Sequence, residues 1–139
     1  MVEDDEYILQ LTSESLSREG YRVTTAEDGR VAWEALTTGD FDLMVTDNNM
    51  PRLTGIELIK KIRATHLILP IIMATGCPPQ QEFADNPWLQ PAAVLLKPCP
   101  IEEYLKVVKD VLAATAAART QPAPSPDQQG QPSTGGIRP

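Results

Sequence analysis

The residues able to do chemistry fall in short stretches: Glu3 and Asp4 within VEDDE, Asp47 at the end of FDLMVTD, Thr75 within PIIMAT, and Lys97 after AAVLL. Carboxylates brought close together repel one another, and either proton uptake or a divalent cation relieves the repulsion. Oxygen donors with no His or Cys among them favour Mg²⁺ over Zn²⁺. A lysine beside such acids serves either as a structural ion pair or as the holder of a phosphoryl oxygen. Thr75 offers a hydroxyl, or is an ordinary β-branched strand residue. Taken alone, VEDDE also fits the acid-rich first turn of a helix.

What would gather these residues is the order of elements. A helix is expected from about Glu6 to Glu19, with Ile8, Leu9 and Leu16 inward and Gly20 ending it. YRVTTA reads as a short strand. Asp28 caps a second helix whose apolar stripe is Val31, Ala32, Ala35 and Leu36, stopping near Gly39. Phe41 to Thr46 is a buried strand, and Asp47 stands at its carboxyl end. The loop Asp47 to Thr54 leads to a helix with Ile56, Ile59 and Ile62 inward and Lys60, Lys61 and Arg63 outward. PIIMAT is the next strand. In GCPPQQEFADNPWLQP, Pro79 can open a helix through Ala84, but Pro87 and Pro91 forbid a long one, and Trp88 is expected to pack in the core. AAVLL is a last strand, and Pro100 starts an amphipathic helix with Ile101, Tyr104, Leu105, Val108 and Leu112 on one side. Strands alternating with helices imply a parallel sheet covered on both faces. With right-handed crossovers, Glu3, Asp4, Asp47, Thr75 and Lys97 all fall at the carboxyl edge of that sheet, where such folds bind ligands.

Composition narrows the function. The chain has 139 residues and a net charge of −7, which fits one domain and argues against direct nucleic-acid binding. No apolar run approaches the ~18 residues of a spanning helix, and no secretory signal is visible, so a cytoplasmic protein without membrane insertion is expected. Cys77 and Cys99 follow no metal-ligand spacing and read as reduced thiols. His66 reads as a surface residue in a loop. The domain is expected over residues 1–118, and residues 119–139, rich in Pro, Gln, Ser and Gly, read as a disordered tail or Pro-rich tether.

VEDDE, VTDNNMP, MATG and LLKP, in that order, resemble the receiver domain of bacterial two-component response regulators, chemotaxis-regulator-like and single-domain, over roughly residues 2–116. The resemblance implies a doubly wound, five-stranded flavodoxin-like α/β sheet of order 2-1-3-4-5. It implies that Asp47 is the phosphoacceptor, receiving a phosphoryl group from a sensor histidine kinase or phosphotransfer protein, or from a small phosphodonor. Glu3, Asp4, Asp47 and the backbone carbonyl of Asn49 would hold Mg²⁺, Lys97 would pair with the phosphoryl group, and Thr75 would turn toward it. A downstream protein would read the changed surface. Such a domain is no enzyme beyond slow self-dephosphorylation.

The chain also departs from the family pattern. Only Met1 and Val2 precede Glu3, so the first strand is expected to be truncated, leaving unpaired edges and a groove in the core. Val94 stands where many receivers carry the switch aromatic, and the fourth helix is expected to be short or distorted. Three other readings compete. An aspartate-based phosphatase or phosphotransferase would need a general acid where Asn49 stands. A phosphorylation-independent interaction module would keep only the fold. The chain could also be the receiver segment of a larger hybrid kinase or regulator.

Overall fold

A computed structural model describes residues 1–65 and 68–120, the side chains of the last two excepted. His66 and the tail from 121 onward lie outside the described residues. Helices α1 (Glu6–Arg18), α2 (Gly29–Thr38), α3 (Gly55–Ala64), α4 (Gln80–Asp85) and α5 (Ile101–Thr120) alternate with strands β1 (Met44–Thr46), β2 (Ile71–Thr75) and β3 (Ala93–Leu96). The strands form one parallel sheet in the order β1-β2-β3, with Thr46 opposite Met73 and Thr75 opposite Leu96. Every residue of β2 is buried, as a central strand covered on both faces must be.

The expected first two strands are present only as a trace. Val2 makes single parallel bridges to Ala26 and to Thr46, so the spatial order is residue 26, residue 2, β1, β2, β3, which is 2-1-3-4-5. The backbone of Val2 donates to Val45 and accepts from Asp47, while Glu3 donates to Ala26. YRVTTA is therefore not a strand, and the strand predicted from Phe41 begins at Met44. The reason is the same for both. Each would pair with the stretch ahead of Val2, and a ladder one residue long cannot hold a flanking segment in strand geometry. Between them lies a groove of about 580 Å³ lined by Met1, Tyr21, Val23, Leu43, Val45 and Val108 among others.

The helices close as their end residues dictate. Asp5 caps α1, accepting from Tyr7 N–H and Ile8 N–H, and Asp28 caps α2, accepting from Val31 N–H. Thr54 and Glu57 form a reciprocal capping box at the start of α3. Ile56, Leu58, Ile59 and Ile62 drive α3 into the core with Met44, Ile71 and Met73 on one face of the sheet. Tyr104 and Val108 of α5 pack with Leu16, Val45, Ile72 and Leu95 on the other.

Two side chains differ from expectation. Val31 sits on the rim of the α2 stripe and is exposed, while Trp33 is half-buried with Lys61 Nζ 5.3 Å above its ring. Trp88 is not in the core but 55% exposed. The chain turns there in a single 3₁₀ turn, Pro87–Leu89, which sends Leu89 fully inward and its neighbour outward. Arg63 Nε donates to the Trp88 carbonyl and fixes that turn on α3. The shortness of α4, six residues followed by this turn, is what the prolines demand.

Candidate functional site

Asp47 follows directly on β1, and its amide donates to the Val2 carbonyl, so sheet pairing fixes its backbone. Its side chain is nearly buried, at 11% exposure. Oδ1 accepts from the amides of Asn48 at 2.6 Å and Asn49 at 3.4 Å. Oδ2 faces Lys97 Nζ at 3.1 Å. The VEDDE run divides its work. Asp5 caps α1, and its amide donates to Glu3 Oε2 at 3.2 Å, while one carboxylate oxygen each from Glu3, Asp4 and Asp47 lie within 4.8 Å of one another. The acid-rich helix start and the acid cluster are thus neighbouring parts of one stretch.

Lys97 follows β3 and reaches both Asp47 and Glu3 with its amine. Glu3 is buried, and that burial raises its carboxyl above the ordinary range against the opposing pull of Lys97. Burial works against the charged form of Lys97, but hydrogen bonds to Glu3 and Asp47 prevail and hold its amine above the usual lysine value. One amine shared by two acids leaves the third, Asp4, exposed and unneutralised by it. A small, hard, oxygen-seeking cation fits that donor set.

Thr75 ends β2 and is fully buried. Its hydroxyl accepts from the Cys77 amide at 3.3 Å, so it belongs to the loop that follows rather than to the acid cluster. Val94, at the expected switch position, is exposed on β3, as is Leu96 two residues on. Leu95 between them points into the core, so the alternation of the strand places both outward. Cys77 and Cys99 are free thiols. Burial and Glu103 push the Cys99 thiol up to about 11, which makes it a poor nucleophile at neutral pH.

Some residues that shape the site escaped sequence reasoning. Asn48 anchors the loop after Asp47: its side-chain oxygen accepts from Ile56 N–H at 3.0 Å and its carbonyl from Met50 and Gly55. Gly55 lies against the backbone of Asp47, where an added Cβ would stand 2.3 Å from the Asp47 carbonyl oxygen. A glycine at the start of a helix gives no sequence sign of that contact. Arg52, with φ of 68°, pairs with buried Asp28 at 2.5 Å.

Parallel strands wound on both sides by helices, with acids and a lysine gathered at the strand ends, define a class of doubly wound signalling and phosphate-handling domains. Within that class the chain belongs to the response regulator receiver domain family, whose model matches residues 1–109. It is a receiver domain of phosphorylation-based two-component signalling. Among curated relatives, the alkaline phosphatase synthesis transcriptional regulatory protein PhoP of Bacillus subtilis is 42% identical over 76 residues, 55% of this chain and 32% of that protein. The chain spans between 12% and 64% of the lengths of the first such relatives. Among solved structures, the chemotaxis response regulator CheY4 of Vibrio cholerae superposes with a TM-score of 0.71 at 33% identity, covering 79% of this chain and 93% of that one. The response regulator TrrA of Thermotoga maritima, solved in complex with Mg(2+)-BeF, gives 0.68 at 28% identity, covering 79% and 94%. Among the described residues no helix is long and apolar enough to cross a membrane.

Proposed function

We propose that Asp47 is the phosphoacceptor of this receiver domain. A carboxylate oxygen attacks the phosphorus of a phosphohistidine on a sensor kinase or phosphotransfer protein. The new O–P bond forms as the P–N bond breaks, and its electron pair returns to the imidazole nitrogen. The single observation that carries this reading is the convergence of Glu3, Asp4 and Asp47 beside the shared amine of Lys97. Glu3, Asp4, Asp47 and the Asn49 carbonyl would hold Mg²⁺, which supplies charge neutralisation for the transferring group. Lys97, freed from part of its pairing with Asp47, then holds a phosphoryl oxygen. The Thr75 hydroxyl, which now accepts from the Cys77 amide, turns toward the phosphoryl group and draws its loop inward. With Val94 in place of an aromatic, the signal leaves through that backbone movement to a protein target. A cytoplasmic setting, no direct nucleic-acid contact by this domain, and at most slow self-dephosphorylation belong to the same reading.

The test is labelling with acetyl phosphate and Mg²⁺. Wild type takes up one phosphoryl group and Asp47→Asn takes up none. Persistent labelling of the variant would remove Asp47 from the role. A phosphorylation-independent interaction module is the second reading, favoured by pairing at Val2 that amounts to single bridges to Ala26 and Thr46. An unlabelled wild type that still binds its partner would support that module instead.

A further inference from the structure

We propose that the Asp28–Arg52 ion pair is a clamp that positions the Asn49 carbonyl for the metal, so that α2 helps set the cation affinity of the Asp47 pocket. The inference rests on the pocket reading given above. Two anchors flank the middle of the loop from Asp47 to Thr54, where the Asn49 amide also reaches Asp47 Oδ1 and Met50 is buried in the core. The first is Asn48, bound to Gly55 and Ile56 at the start of α3. The second is Arg52, whose guanidinium donates to Asp28 Oδ2 at 2.5 Å, twenty-four residues away and across the fold. Asn49, Met50 and Pro51 are strung between these anchors.

Three independent features mark the second anchor as built. Asp28 is 1% exposed, although a helix cap needs no burial, and both carboxylate oxygens are used: Oδ1 accepts from Val31 N–H and Oδ2 from Arg52. That Val31 bond first, and Arg52 after it, hold the Asp28 carboxyl below its ordinary value despite burial, so it is a fixed charge. Arg52 adopts a φ of 68°, a conformation unfavourable for a side chain with a Cβ, and its largely exposed side chain ends on the buried Asp28 carboxylate. The next residue, Leu53, packs so closely on α2 that a Cβ on Gly29 would lie 2.4 Å from its carbonyl oxygen. Arg52 and Leu53 together seat the loop on the first turn of α2. Without the pair, Asn49–Pro51 keep Asn48, the Asn49 amide bond to Asp47 and buried Met50 but lose the charged tether to α2, and cation binding must bear the cost of ordering what that tether held.

Arg52→Gly removes the guanidinium while suiting the positive φ, and Asp28→Asn keeps the cap acceptor while removing the charge. Mg²⁺ alone is titrated into each full-length protein and followed by amide shifts of residues 47–49. Each variant is expected to bind Mg²⁺ about threefold to tenfold more weakly, with Arg52→Lys intermediate and the double variant no weaker than either single one. Labelling by acetyl phosphate at saturating Mg²⁺ should stay within about twofold of wild type, since the pair touches no reacting atom. A pair that only stabilises the fold would lower the melting temperature and leave Mg²⁺ affinity within about twofold, which overturns the clamp. If Arg52→Gly fails to fold, Asp28→Asn and Arg52→Lys decide the matter by the same readout. Wild type that binds no Mg²⁺ overturns clamp and pocket reading together, whereas wild-type binding with unaffected variants removes the clamp alone.

Discussion

At the scale of single residues, Tyr104 packs its ring well and leaves its hydroxyl at a cost. Its hydroxyl is the one buried side-chain polar atom of the described residues without a hydrogen-bond partner. Burial first, then the charge of nearby Glu3, push its ionisation well above the ordinary tyrosine range, so it stays neutral. A buried hydroxyl left unsatisfied costs about 1–3 kcal/mol. Tyr104→Phe keeps the ring in the cluster of Leu16, Ile72 and Val108 and removes that cost. The variant is expected to be more stable by about 1 kcal/mol, read as a higher urea midpoint at unchanged slope. An unchanged or lower midpoint would mean that the hydroxyl has a partner in solution.

At the scale of elements, the loop between β1 and α3 joins stability to chemistry. Gly55 lets the helix start lie flat on the Asp47 backbone. Gly55→Ala puts a methyl carbon against a carbonyl oxygen that cannot move without moving the Asp47 carboxylate. Overpacking of this kind costs about 1–3 kcal/mol, and both thermal stability and acetyl phosphate labelling should fall. Stability falling with labelling intact would show that the loop relaxes away from Asp47. Much of the element pattern was legible beforehand. The isoleucines of α3 repeat at helical spacing, Asp28 precedes an apolar stripe, and the prolines limit α4. Trp88 was misread because whether an aromatic faces in or out of a 3₁₀ turn depends on the turn's orientation against α3, which residue types do not encode.

At the scale of the whole molecule, the sheet is held by its central and β3 side and left open on the other. The groove beside Val2 is lined by apolar side chains such as Val23, Leu43 and Val45 together with polar ones, Arg22, Thr24 and Asp40 among them. Extending the chain ahead of Met1 by four alternating apolar residues should pair both banks and fill that space. The expected result is a higher melting temperature, on the order of 5 °C for each kcal/mol gained. Equal melting would show that the groove is already satisfied. The sequence by itself determined the alternation of strands and helices, the carboxyl-end position of Asp47, Thr75 and Lys97, and the shortness of α4, because periodicity, breakers and caps act locally. Only the tertiary structure decided that Asp5 caps a helix while Glu3 and Asp4 join Asp47, and that one lysine spans two of those acids. The same holds for the loop carrying Asn49, tied to α2 through Arg52 and Asp28. Those are contacts between residues far apart in the chain, and their geometry comes from how the sheet and helices pack, which no local pattern of residues specifies.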